Sequence, residues 1–220
     1  MKQTGGRPRG RPPAASGAQT RQCIIDAARA VFSEIGYDAA TFQAIAVRAG
    51  LTRPAINHYF ASKLVLYREV LEHTNEIVVL PGLALAEQET TFIDRLRAYV
   101  GAAQQAGGAE LSLSRFIVIS VMEATRHPEF AMQDNPIAVS TRRFIERIVT
   151  DAIAGGELVP LTDTADAVEA LVAVMWGMAF YSSYLGTGPE SAAVLDRIVL
   201  LLGGQLWQLP DTDSQTKLSG

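Results

Sequence analysis

The sequence predicts an all-α fold of about nine helices, divided between an N-terminal three-helix head and a larger helical body. Three observations predict it. Apolar residues recur at helical spacing, Pro- and Gly-containing breakers separate those segments, and no strand pattern of alternating apolar and polar residues stands out. With 220 residues, of which 48% are hydrophobic, the chain can bury a large core.

Residues 41–60 predict two short helices joined at a single glycine. Thr41 and Thr52 are suitable N-caps for the two helices, and Pro54 lies in the first turn of the second, where its missing N–H costs nothing. Gly50 can adopt the left-handed conformation that ends a helix.

The spacing of Ala46, Gly50 and Ile56 is that of a helix-turn-helix, because a small residue lets the helices approach and a branched residue seats the second helix. Arg53 and Asn57 are four residues apart on the outer face of that helix. Arginine can bond guanine and asparagine adenine bidentately in a major groove. The alternative interpretation is an ordinary helical hairpin with solvated polar side chains.

The segments that flank this motif resemble a known family. A helix predicted over residues 20–36, with Ile24, Ala28, Val31, Phe32 and Ile35 on one face, precedes the motif, and Ala61-Ser62-Lys63 follows it. In this order, residues 18–75 resemble the N-terminal domain of the tetracycline-repressor (TetR) family of bacterial transcription regulators. The remaining 145 residues match that family only in length and helical character.

One departure from the family pattern concerns the end of the second helix. Family members often carry a string like Tyr-Tyr-His-Phe where this chain has Asn57-His58-Tyr59-Phe60. The resemblance therefore implies that the phosphate contact of the family's first tyrosine moves to Tyr59, while Asn57 contacts a base or a phosphate.

The N-terminal residues 5–13 are rich in Pro, Gly and Arg and contain no acid, so residues 1–18 are expected to be a disordered arm. Arg9 and Arg11 flank a central glycine between two prolines, as in an AT-hook, which lies in a narrow A·T minor groove. The alternative is a basic tail that binds phosphates without reading sequence. With the arm included, the residues expected to contact DNA are Arg9, Arg11, Thr41, Gln43, Thr52, Arg53, Pro54, Asn57, His58, Tyr59 and Lys63.

Charge is distributed unevenly along the chain. The net charge is −4, but residues 1–75 carry +5 and residues 76–220 carry −9. This asymmetry fits a DNA-binding head on a body that does not bind DNA. The predicted organisation is the arm over residues 1–18, a helix-turn-helix domain over 19–66, a ligand-binding and dimerisation domain over 67–210 and a frayed tail over 211–220.

The body is predicted to contain helices at residues 91–105, 111–126, 136–154, 162–185 and 189–209, and Pro81-Gly82 is expected to end the helix that begins near Ser62. The last two helices are apolar nearly all round, which predicts a four-helix dimer interface through residues 162–209. The alternative is a large monomer core. Residues 170–189 are uncharged, but only about a dozen qualify as apolar, so no membrane span is expected.

No catalytic or metal-binding set stands out. None of the three histidines has a partner at metal or triad spacing, and a single cysteine, Cys23, forms no intrachain disulfide, which is consistent with a reducing compartment. We therefore expect no catalytic residue, no metal and no cofactor. Seven aromatic or methionine residues could line a site for a small apolar effector, because they offer adaptable or aromatic surface: Tyr99, Phe116, Met122, Phe144, Met175, Trp176 and Phe180. The alternative is that they form ordinary core.

The resulting hypothesis is a cytoplasmic, homodimeric transcription regulator that responds to a small-molecule ligand and represses by binding a palindromic operator. The resemblance implies that ligand bound in the body moves the helix after the head and spoils the spacing of the two half-sites. One alternative is a regulator of the same fold that senses no small molecule and responds to a protein partner or acts constitutively. Another is an enzyme that carries a helix-turn-helix.

Overall fold

A computed structural model describes residues 13–159, 162–185 and 190–203. In these residues the regular secondary structure is helical and no strand occurs. The α-helices are α1 Pro13–Ala39, α2 Phe42–Ala49, α3 Arg53–Tyr59, α4 Lys63–Thr74, α5 Leu80–Ala86, α6 Phe92–Ala109, α7 Leu111–Arg126, α8 Pro136–Ala154, α9 Thr164–Phe180 and α10 Glu190–Leu202. A π-helical turn, Asn75–Val79, links α4 to α5 without a non-helical residue. With α4, this turn and α5 counted as one interrupted helix, these elements give nine helices in the described residues, and the predicted all-α fold is confirmed.

The chain divides into two compact units between His73 and Thr74. The first unit contains α1 to α4, and its division from the second lies seven residues beyond the predicted 66/67 boundary. The reason is that α4 contributes to the first core. The ring of Tyr67, fully buried, lies 5.0 Å from that of Phe32 and 5.1 Å from that of Tyr37.

The turn between α2 and α3 has the predicted chemistry. Gly50 lies in the left-handed region at φ 66° and ψ 29°, and the N–H of Leu51 donates to the carbonyl of Ala46 at 2.9 Å. The Thr41 hydroxyl accepts from the N–H of Ala44 at 3.1 Å, and that of Thr52 accepts from the N–H of Ala55 at 3.4 Å. Both threonines are therefore N-caps, as the sequence predicts.

Lys63 fastens the end of α1 to the start of α4. Its Nζ donates to the carbonyl oxygens of Tyr37 at 2.7 Å, Asp38 at 3.2 Å and Ala40 at 3.1 Å, and lies 4.2 Å from the centroid of the Tyr37 ring. These carbonyls follow Gly36, whose φ of 76° interrupts the helix and leaves them without helical partners. An ammonium has three N–H donors, and here all three are used.

Two expectations about α1 are wrong. The helix begins at Pro13, so residues 13–18 of the expected disordered arm are helical. Proline suits a first helical position, and the alanines that follow are strong helix formers. Ile35, expected on the buried face, is 50% exposed because the chain leaves the helix at Gly36 and Tyr37, at 9%, enters the core instead. Residues 1–12 of the arm and the tail over 211–220 lie outside the described residues.

The second unit contains α5 to α10. The bounds of α7 and α8 are those predicted, and Asp163 rather than Thr162 caps α9, because its Oδ1 accepts from the N–H of Ala165 at 2.8 Å. The predicted 189–209 helix is described only over Glu190–Leu202.

Pro81-Gly82 does not end a helix. The N–H of Leu80 bonds to the carbonyl of Asn75, five residues back, and this π-type register accommodates a proline that lacks an N–H at the next position. Gly82 instead allows the ring of Tyr99 to approach the backbone closely, since a Cβ at residue 82 would lie 3.2 Å from Cδ2 of Tyr99.

α9 exposes one apolar face. Among the described residues, one helical segment, Thr164–Leu185, is long and apolar enough to cross a membrane by length and composition alone, and 22% of its most apolar window is buried. A stripe of small and aromatic residues at helical spacing is exposed along it, namely Ala170, Ala173, Gly177, Phe180 and Tyr184. The rings of Phe180 and Tyr184 stack at 5.4 Å.

We expect Lys63→Met to lower the free energy of unfolding of the first unit by about 1–3 kcal/mol, because three carbonyls lose a charged donor. Urea unfolding followed by circular dichroism measures the change. The matched control is Val65→Met, which places the same side chain two residues further along α4 at a site that is 45% exposed. Equal stability of the two variants would show that the Lys63 bonds contribute nothing.

Candidate DNA-binding surface and ligand cavity

The outer face of α3 is solvent-exposed and its inner face is anchored in the core. Ile56 is fully buried and Phe60 is 1% exposed, whereas Arg53 and Asn57, four residues apart, both face solvent. Thr41, Gln43, Thr52, Pro54 and His58 are also exposed. The structure thus brings seven of the expected DNA-contacting residues to the exposed surface of α2 and α3 and the caps that precede them.

Arg53 has the side chain most available to a ligand. Other cations of the described first unit are committed, for example Arg21 to Glu69 at 2.9 Å and Arg48 to Glu34 at 2.8 Å. Arg53 alone among them has neither an ion-pair nor a hydrogen-bond partner in the described residues, and the amide of Asn57 has none there either. These two groups keep their full donor capacity for a base edge or a phosphate.

Tyr59 lies at the C-terminal end of α3, half-buried, with its ring in a T-shaped contact with that of His58 at 5.2 Å. Its hydroxyl oxygen is 3.9 Å from the position that a Cβ on Gly17 would occupy. The first turns of α1 therefore lie beside the end of α3. Arg9 and Arg11, the expected minor-groove contacts, fall outside the described residues.

Lys63 occupies a different position from the one expected for a DNA contact. Its ammonium is surrounded by the carbonyls of Tyr37, Asp38 and Ala40, which take all its donors. The side chain closes the end of α1 and has no N–H left for a phosphate.

The second unit contains an apolar cavity that is partly open to solvent, and its empty space, with the open part included, is about 690 Å³. Its apolar lining comes from the π-helical turn and from α6 to α9, and consists of Val78, Val79, Val100, Ala103, Ile117, Ile137, Met175, Trp176, Met178 and Ala179. The polar residues of the described lining are Tyr99, Gln104, Ser114, Thr141 and Ser182, so none of the described lining residues is charged.

Most of the polar lining groups already have a hydrogen bond. The hydroxyls of Tyr99 and Thr141 bond each other at 2.8 Å, Ser114 donates to the carbonyl of Leu111 at 3.2 Å, and Ser182 donates to that of Ala179 at 3.1 Å. Burial raises the pKa of Tyr99 to about 12, although the bond to Thr141 acts in the opposite direction. Tyr99 is therefore a neutral phenol at any physiological pH.

Three of the seven residues expected to line a ligand site are among the residues that line this cavity, namely Tyr99, Met175 and Trp176. Four are not. Phe116 is fully buried in the core, Phe144 is buried with its ring 4.8 Å from that of Tyr99, and Met122 and Phe180 are 48% and 44% exposed.

The remaining lining residues carry no signal in the sequence, because small and branched residues such as Val78 and Ala179 look like ordinary core. Thr141 and Gln104 are polar residues at otherwise apolar helical positions. This pattern is the one signal in the sequence that marks them as lining residues.

Comparison with known proteins places the first unit in a family. Residues 24–70 match the model for bacterial regulatory proteins of the tetR family. The chain is 26% identical over 161 residues to the HTH-type transcriptional regulator UidR of Escherichia coli, covering 72% of this chain and 79% of UidR. It is 41% identical over 86 residues to the HTH-type transcriptional activator FasR of Mycolicibacterium smegmatis, 38% of each chain.

The fold is also similar to solved structures. The transcriptional regulator FadR from Bacillus subtilis, in complex with stearoyl-CoA, superposes with a TM-score of 0.72 at 19% identity, covering 84% of this chain and 99% of FadR. At that identity the likeness shows the fold alone. The family match to α1–α4, the relatives that are transcriptional regulators and the shared fold lead to one conclusion: the chain belongs to the TetR family of helix-turn-helix, DNA-binding transcription regulators.

Proposed function

We propose that this regulator is a cytoplasmic homodimer that represses transcription by occupying a palindromic operator and leaves it when a small molecule fills the cavity of the second unit. The observation that carries the proposal is the pair Arg53 and Asn57, which lie on an exposed helix face without a hydrogen-bond partner among the described residues. The second unit adds a partly open apolar cavity. Repression by occlusion needs no surface beyond the one that binds DNA. We infer an action by binding, without catalysis.

The similarity to an activator favours a second candidate, activation from the same operator. The alignment with FasR covers only 38% of this chain, so it concerns DNA binding more than the direction of regulation. A promoter fusion decides between the two, because deletion of the gene raises transcription for a repressor and lowers it for an activator.

Arg53→Ala and Asn57→Ala are each expected to weaken specific operator binding by about 1–3 kcal/mol if the side chain bonds a base bidentately. Titration of a selected operator and of scrambled DNA gives the specific component. The matched control, Arg126→Ala, removes an exposed arginine of the second unit. If both α3 variants bind the operator like the unmodified chain, α3 is not the recognition helix.

We propose that the arm inserts Arg9 and Arg11 into a minor groove that flanks each half-site. Support comes from the start of α1, which lies beside Tyr59 at the end of α3. A narrow A·T-rich groove attracts both arginines more than a wide one does.

Deletion of residues 1–12, which leaves α1 intact and removes four cations, is expected to lower affinity most on operators with A·T-rich flanks. The salt dependence should flatten by up to about 0.9 log units for each phosphate that the arm no longer neutralises. Binding is compared on A·T- and G·C-flanked operators across a salt series. An equal loss on both operators would indicate a phosphate-binding tail, and no loss on either would remove the arm from the interface.

The exposed apolar stripe of α9 supports the proposed homodimer. Ala170, Ala173 and Gly177 are small enough to let a second helix approach closely, and Phe180 and Tyr184 extend the same face. In α10, Leu200 and Leu201 are 36% and 39% exposed. A two-fold pair of these helices would bury both faces and carry two α3 helices to half-sites about 34–36 Å apart or a multiple of that distance.

Ala173→Glu is expected to yield monomers that bind the operator poorly, because a charge without a partner would be buried in the middle of the pair. Sedimentation at micromolar concentration measures the assembly state. Gln105→Glu, at an exposed position of α6, serves as the control. An unmodified chain that sediments as a monomer would refute the dimer, and one recovered only with membranes would favour a spanning role for this helix.

Ala103→Trp is expected to fill the cavity and leave operator binding intact while abolishing release by ligand. The operator complex is treated with organic-solvent extracts of bacterial cultures, and release is followed by fluorescence anisotropy of labelled DNA. Gln105→Trp adds the same ring to an exposed position of the same helix. Release of the Ala103→Trp chain by the same extract fractions would refute sensing through this cavity, and the protein-partner alternative would then stand.

A further inference from the structure

The cavity has a polar group that the protein does not satisfy. The amide of Gln104, half-buried on α6, has no hydrogen-bond partner among the described residues although it lines the space. It offers two N–H donors and one carbonyl acceptor to whatever occupies the cavity.

The other polar groups restrict the ligand further. Ser114 and Ser182 have one proton each and donate it to main-chain carbonyls, so towards a ligand they only accept. Of the Tyr99 and Thr141 hydroxyls, one donates to the other and a single proton remains. The cavity therefore has few free donors, and a carboxylate or phosphate would lose its hydration without adequate replacement.

The charges around the cavity also disfavour a charged ligand. None of the described residues that line the cavity is a cation, and Arg115 on α7, next to the lining residue Ser114, is not one of them. Its Nε donates to the carbonyl of Ser183 at 3.3 Å, and its guanidinium carbon lies 5.7 Å from the centroid of the Tyr184 ring. None of the described lining residues is an acid either, so they offer an ammonium no counter-ion.

From these observations we propose that the effector is an uncharged, mainly apolar molecule with a single polar group, such as an alcohol, ester, amide or lactone, that bonds the Gln104 amide. This proposal rests on ligand sensing through the same cavity. It distinguishes this chain from a regulator whose ligand is an acyl-CoA thioester, because the phosphates of coenzyme A need cations that the described lining residues do not supply.

The test compares ten-carbon probes that share one apolar tail, namely 1-decanol, methyl decanoate, decanoate and decanoyl-CoA. Binding is measured by calorimetry with the full chain and by quenching of Trp176 fluorescence in the Trp207→Phe chain, in which Trp176 is the only tryptophan. We expect the two neutral probes to bind at least tenfold more tightly than the two anions at pH 7.5. Equal or tighter binding of either anion would overturn the proposal.

Two variants test the assigned contact. Gln104→Leu should weaken binding of 1-decanol about fivefold, the value of one hydrogen bond, while the matched Gln105→Leu at an exposed site should have no effect. Gln104→Lys should raise the affinity for decanoate at least tenfold, because it supplies the missing cation. Unchanged affinities in both Gln104 variants would overturn the contact even if neutral probes bind.

The response to culture extracts distinguishes failure of this proposal from failure of ligand sensing. Suppose that extracts release the unmodified chain from the operator but do not release Ala103→Trp, and that decanol, methyl decanoate and their eight- to fourteen-carbon homologues do not bind. The cavity then senses a ligand of another class, and only the present proposal is wrong. Where extracts release both chains or neither, and no probe binds, the cavity is not a sensor and both proposals fall.

Discussion

The DNA-binding surface depends on the burial of one side of a helix that is too short to be stable alone. α3 has seven residues, far fewer than an isolated helix needs in water. It persists because Ile56 and Phe60 are buried beneath it and Thr52 caps its first turn. Any change that loosens these two buried anchors therefore removes the recognition surface along with the helix, and the exposed residues Arg53 and Asn57 inherit their geometry from the buried ones.

Two turns hold that helix at a defined angle. Gly50 reverses the chain between α2 and α3 in a left-handed conformation that a β-carbon would strain, while Gly36 ends the regular part of α1. The turn at Gly36 leaves carbonyls at the end of α1 without helical partners, and Lys63, at the start of α4, donates hydrogen bonds to them. A single ammonium thus joins the helix before the motif to the helix after it, which explains why a cation that follows the motif so closely is used for the fold and not for a phosphate.

The features that could be predicted well from the sequence are local ones: helix caps, a turn and helix ends. The caps Thr41 and Thr52, the turn at Gly50 and the ends of α7 and α8 depend on residues within a few positions of one another, so pattern and propensity suffice to predict them. The failures involve partners distant in sequence. Tyr37 took the core position expected for Ile35, Lys63 met carbonyls 23 to 26 residues away, and the proline expected to end a helix at residue 81 was accommodated by a π-helical turn.

The net charge of the second unit does not predict the charge of the ligand that its cavity can accept. Residues 76–220 carry −9, and that balance by itself disfavours an anionic ligand through long-range repulsion. The structure supplies a different reason: the lining residues that it describes are uncharged, and an anion is disfavoured because it would lose its hydration and find no cation and few donors among them. The same reason disfavours a cation, which the net charge would have favoured. Selectivity for neutral molecules thus follows from what surrounds the ligand within hydrogen-bonding distance, and composition could not reveal it because no pattern in the sequence shows which five polar residues face one cavity.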